Sequence, residues 1–114
     1  KMPSEDVCSV LTSQQLEKLK KAASVYQLPD ISAIGENGVV KLVARDKKND
    51  TSNDFSIVVG ETEAQFVFNF KEENLKIVPG TYDVVVSQKL LSKFSNQNID
   101  VTYFIALEPD STFG

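Results

Sequence analysis

Between Phe66 and Phe70 the chain reads Phe-Val-Phe-Asn-Phe, and this run limits its fold more than any other. Successive side chains of a strand point to opposite faces, so Phe66, Phe68 and Phe70 share one side. The run predicts a strand with one aromatic face that has to be core. The rest of the chain can supply the cover. It has 114 residues, 41% hydrophobic and 25% charged, the balance of one globular domain that needs no metal or disulfide.

Around this run the elements fall in a doubled order. Val7 to Leu11 suits a strand. Thr12-Ser-Gln-Gln15 has the spacing of a capping box. A helix to about Gln27 follows, with Leu16, Leu19, Ala23 and Tyr26 as its apolar stripe, and Pro29 ends it. Ile31 to Ile34 and Val39 to Ala44 read as strands joined through Asn37-Gly38, a hairpin signal. The polar stretch Arg45 to Asn53 reads as a solvated loop, and Phe55 to Val59 as a further strand. After Phe66–Phe70, Lys71 to Val78 is expected to be a short helix closed by Pro79-Gly80. Strands are expected at Tyr82 to Val86, Leu90 to Phe94 and Val101 to Leu107, with a fraying tail from Glu108. The sum is an α+β chain of two βαβββ units, with antiparallel sheet and two helices packed on one face.

Composition narrows the chemistry. The chain has no histidine, which removes the commonest general base and the commonest metal ligand. Cys8 is the single cysteine, so no internal disulfide is expected, and without histidine neither is a serine or cysteine triad or a zinc site. No cofactor motif occurs, and no apolar run approaches the roughly 20 residues of a membrane span. The formal charge of −4 argues against a simple basic nucleic-acid binder. A non-enzyme without cofactors or membrane contact is the expectation.

Two segments carry a resemblance. Asn69 to Val86 (NFKEENLKIVPGTYDVVV) and Tyr103 to Thr112 (YFIALEPDST) resemble the end of the T-even-type bacteriophage sliding clamp, the DNA polymerase processivity factor. That family has the same Pro-Gly-x-Tyr start to a strand, then an aromatic–aliphatic–Ala-Leu-Glu strand and an Asp-Ser-Thr tail. Phe55 to Gly60 and the Leu16–Leu28 helix occupy matching places. The resemblance implies a DNA-clamp fold, with residues 1–8 as the end of an interdomain connector and the start of the first strand. Residues 9–114 would be the C-terminal clamp domain. The opening Lys1 fits a chain that continues a longer protein.

The same resemblance implies partners and surfaces. The assembled clamp would be a ring of three two-domain subunits, opened onto double-stranded DNA by an ATP-driven loader, in the cytoplasm of an infected bacterial host. A lumen needs positive charge that attracts phosphates without reading bases. Lys18, Lys20 and Lys21 on the first helix, with Lys71 and Lys76 around the second, are the candidates. A pocket for the C-terminal peptide of a polymerase would lie near Tyr103, Phe104, Ala106, Leu107 and Pro109, although only alternate strand residues can face one side. Asp54, Phe55, Ser56, Ile57, Val58 and Val59 form the expected edge strand for subunit contact.

Three other classes remain to be weighed. A β-rich structural or interaction module of a phage would show no dependence on DNA. A single-stranded nucleic-acid binder needs aromatic residues interleaved with basic ones, which the Phe66–Phe70 run lacks. An enzyme is disfavoured by the missing histidine.

Overall fold

The computed structural model describes residues 2–46, 48 and 54–114. Nine strands, one α-helix and one 3-10 turn make up the described residues. The strands are β1 (Val7–Leu11), β2 (Asp30–Glu36), β3 (Val39–Arg45), β4 (Phe55–Glu61), β5 (Phe66–Lys71), β6 (Tyr82–Ser87), β7 (Leu91–Asn96), β8 (Thr102–Ala106) and β9 (Thr112–Phe113). Helix α1 spans Ser13–Val25, between β1 and β2. Every strand pairing is antiparallel, and the strands form two sheets, β1-β6-β7-β8 and β4-β3-β2-β5-β9. The class is α+β.

The aromatic run does what its alternation requires. Phe66, Phe68 and Phe70 are buried and meet the other sheet across the core, where Phe70 and Phe94 pack edge to face with centroids 6.2 Å apart. Val7, Leu11, Tyr82, Val86 and Ile105 complete that side of the core. An apolar cavity of about 50 Å³ remains between the sheets.

Helix α1 starts as its sequence dictates. The Thr12 hydroxyl accepts from Gln15 N at 3.2 Å, and Gln15 Oε1 accepts from Thr12 N at 3.0 Å. The helix buries Leu16, Leu19, Ala22 and Ala23 and packs against β3 and β4. Its end differs from the sequence expectation. Tyr26 is the C-cap and is 52% exposed, so it does not belong to the buried stripe. Gln27 turns left-handed at φ 54, and Leu28 N reaches back to Ala23 O at 2.8 Å. That 6→1 bond closes the helix and lets Leu28 take the core place the spacing had given to Tyr26.

A second helix does not form between Lys71 and Val78. Only Glu72–Leu75 coil, as a 3-10 turn. Beyond it the peptide units of Val78 are taken by two tyrosines: Tyr103 Oη accepts from Val78 N at 3.2 Å, and Tyr82 Oη donates to Val78 O at 2.6 Å. With Ile77 drawn into the core, the segment runs as irregular chain to Pro79. The order strand, helix, three strands therefore occurs once with an α-helix, and the matching place in the second half holds the 3-10 turn.

The tail is ordered rather than frayed. Glu108 N donates to Asn69 O at 2.7 Å and Ser111 Oγ accepts from Asn69 N at 2.8 Å. Thr112 and Phe113 then pair with Val67 and Phe66 as β9. The hairpin signal holds, with Asn37 at φ 53 and Gly38 at φ 84, the left-handed pair that a tight hairpin demands. The loop expectation at Arg45–Asn53 falls in large part on Lys47 and residues 49–53, outside the described residues, as does the connector expectation at Lys1.

Candidate functional site

The lysines of α1 diverge around its exposed side. Lys18 and Lys21 are exposed, opposite the Leu16–Leu19–Ala23 stripe, and Lys20 is half-buried at its border. Lys18 shares a shallow groove with Thr12, Gln14, Gln15, Ile57 and Val58, so one helix face borders the free side of β4. Lys20 lines a second groove with Ser13, Leu16, Glu17, Ile77 and Pro79. Exposed Lys76 stands one residue before Ile77, beside that groove.

Lys71 is placed apart from these. Its neighbour Phe70 points into the core, so by alternation Lys71 projects from the opposite face of the sheet to the one α1 covers. There it donates to Asp30 Oδ1 at 3.2 Å and stands 3.9 Å from Glu108 Oε1. The Asp30 hydrogen bond, with the charge behind it, holds the Lys71 ammonium above the ordinary lysine range. Asp30 itself is 1% exposed. The contact answers a buried carboxylate and ties the tail to β2.

β4 forms one end of its sheet and pairs only with β3 among the described residues. Phe55, Ile57 and Val59 are partly buried, and Ser56 and Val58 are exposed, Val58 by 58%. The strand begins at Phe55, so Asp54 lies just before it. A bare row of N–H and C=O groups beside an exposed valine is a template for pairing with another strand.

The five residues grouped near the tail separate. Tyr103 turns inward, packed 6.2 Å from the Tyr82 ring, and Leu107 is buried. Phe104 and Ala106 turn outward, Phe104 being 52% exposed, and Pro109 is exposed on the tail that crosses to β5. Strand register adds residues that spacing could not supply: Lys93 lies directly across from Phe104, and Leu91 across from Ala106. No cluster of three or more metal-ligating side chains comes together among the described residues.

Comparison with known proteins shows the family. The family model "gp45 sliding clamp, C terminal" matches residues 9–109. The sliding clamp of Vibrio phage KVP40 is 34% identical over 102 residues, a match covering 86% of this chain and 45% of that relative. The chain thus spans about half the length of the curated relative it matches. On this breadth of match, the chain belongs to the gp45 sliding-clamp family, as its C-terminal domain.

Proposed function

We propose that this chain is the C-terminal half of a sliding-clamp subunit, which in the whole protein encircles duplex DNA and tethers a replicative polymerase. The observation that carries this reading is the adjacency of a lysine-bearing helix face and an unpaired strand edge. Lys18 and Val58 line one groove. Ring closure through β4 would bring a neighbouring subunit beside that groove and set the exposed lysines of α1 along a common lumen. Lys18, Lys20 and Lys21, with Lys76 beside the second groove, would attract phosphates without base contacts. Lys71, engaged by Asp30, would act on the domain's own stability.

In this reading the ring contains three two-domain subunits, each domain built on two βαβββ units with the 3-10 turn in the place of a second helix. Residues 1–8 end the connector and start β1, and residues 9–114 are the C-terminal domain. An ATP-driven loader places the ring on DNA in the cytoplasm of the infected host. The polymerase's C-terminal peptide docks on the outward residues of β8, Phe104 and Ala106, toward Pro109. No catalytic step or cofactor is needed, because encirclement is topological.

The test is reconstitution. The full-length protein, with its loader and polymerase on primed circular DNA, should lengthen synthesis per binding event by at least an order of magnitude. Products of unchanged length would sink the reading.

A further inference from the structure

The β6–β7 turn contains a backbone outlier. Leu90 has φ 69 and is 36% exposed. A bulky residue in the left-handed region is strained, and such strain persists only where the surroundings over-determine it. Here they do. Leu90 N donates to Ser87 O at 3.1 Å, Lys89 N to Ser87 Oγ at 3.0 Å, and Leu107 N to Leu90 O at 3.0 Å. From outside the turn, Asp6 Oδ2 accepts from Gln88 N at 2.8 Å, and the Ser4 and Ser87 hydroxyls hydrogen-bond at 2.6 Å. The turn is thus braced by Leu107, just past β8, on one flank and by the chain leading into β1 on the other.

Leu91, next to the strained leucine, begins an outward apolar strip. Ser92, Phe94 and Ile105 are buried, so alternation sends Leu91, Lys93, Phe104 and Ala106 to the outer face. Cross-strand pairing sets Val85 beside Lys93 and Lys93 beside Phe104 in one row. Lys93 makes no ion pair with any described residue. The other charge within these strands on that face, Asp83, is held by Gln97 Nε2 at 2.9 Å. In the turn, the positive field of Lys89 falls on Asp6. One uncommitted cation therefore sits in the middle of an exposed apolar strip.

We propose that this face takes an extended peptide whose apolar residue packs against Leu91, Ala106 and the flank of Phe104 and whose acidic side chain pairs with Lys93. The inference rests on the partner-peptide reading of β8 and adds the chemistry of the partner. Charge complementarity selects an acid. Leu91 and Lys93 are two residues apart on one strand, about 7 Å, so a peptide lying along β7 meets them with residues two positions apart. An apolar residue followed two positions later by Glu or Asp is the sequence this surface selects.

The experiment uses the full-length protein and three fluorescein-labelled, C-terminally amidated octapeptides. Each carries one Phe, followed two positions later by Glu, Gln or Lys, with Ser elsewhere, and binding is read by anisotropy. The Glu peptide should bind roughly fivefold tighter than the Gln peptide, and Lys93→Glu should reverse the order so that the Lys peptide binds best. Phe104→Ala should weaken all three, and Leu91→Ser should weaken them while the fold is kept. If Glu and Gln peptides bind alike and Lys93→Glu changes nothing, while Phe104→Ala still weakens binding, the acid pairing is wrong and the partner-peptide reading stands. If Phe104→Ala also changes nothing, or no peptide binds, both fall. An oligomer that Phe104→Ala dissociates in sedimentation would assign the face to a second copy of the chain and overturn the proposal.

Discussion

The ring of Phe66 lies over the backbone of Gly35, its cross-strand partner. A Cβ at position 35 would stand 2.6 Å from Phe66 Cδ2 and 2.8 Å from Cζ, closer than carbon atoms approach in folded proteins. Glycine is needed here for the space it leaves, because Phe66 is 3% exposed and its ring could move only by repacking the core around the cavity between the sheets. Gly35→Ala should therefore destabilise the domain by about 2 kcal/mol, read as a lowered urea midpoint at unchanged slope. Stability equal to that of the parent chain would mean that the ring can tilt at no cost.

The opposite sign is expected at the end of α1. Gln27 holds φ 54 so that Leu28 N can reach Ala23 O. Glycine enters this region without the Cβ clash and is the residue most common at this helix-end position. Gln27 is also exposed, so little packing is lost. Gln27→Gly should stabilise by up to about 1 kcal/mol, seen as a higher Tm with an unchanged circular dichroism spectrum. A fall in Tm would show that the freedom gained by the unfolded chain outweighs the relieved strain.

Local chemistry was the part of this fold that could be read from the chain. The Thr12–Gln15 capping box, the Asn37-Gly38 turn and the Phe66–Phe70 alternation depend on near neighbours, and all three stand as expected. What failed depends on distant residues. Tyr26 fits the helical period, but the helix stops at Val25 because Leu28 closes it. Lys71–Val78 has helix-forming residues, but Tyr82 and Tyr103 take the peptide groups of Val78. Phe113 looked like part of a polar tail until its ring met Phe68, with centroids 6.0 Å apart. The candidate surfaces divide in the same way. Exposed lysines on α1 follow from helix periodicity, whereas the separation of Phe104 from Tyr103, and the place of Lys93 beside it, need the register of β7 on β8.

Acid should loosen the clip ahead of β1. The Ser4 hydroxyl at 2.6 Å, and then the Gln88 N–H, hold the Asp6 carboxyl below the usual aspartate range. The ionised form is therefore favoured on folding. Its contribution is complete above the unfolded value of about 4 and is lost as pH falls through the lower folded value. Asp6→Asn should cost no more than about 1 kcal/mol for a carboxylate at the half-buried surface, where solvent screens it. The difference should be full at about pH 6 and shrink as pH falls below the unfolded aspartate value of about 4. A gap in Tm that does not narrow in acid would show that the Asp6 charge is not what the clip uses.

The lysines should sort by the face they occupy. Lys18 and Lys21 are exposed on α1, whereas Lys71 points from the other side of the sheet toward buried Asp30. In the full-length clamp, Lys18→Glu with Lys21→Glu should shorten processive synthesis severalfold and leave Tm nearly unchanged, since surface substitutions away from packing shift stability by less than about 0.5 kcal/mol. Any residual affinity for linear duplex should lose roughly one unit of salt dependence for each phosphate contact removed. Lys71→Met should do the reverse. Replacing the ammonium beside a carboxylate that is 1% exposed lowers Tm and loosens the tail at Glu108, while processivity at permissive temperature is retained. Measuring both properties on both variants separates a lumen from a latch. If Lys71→Met shortened synthesis as much as the helix variants at equal Tm, the DNA-facing side would have to include the outer face of the β5 sheet.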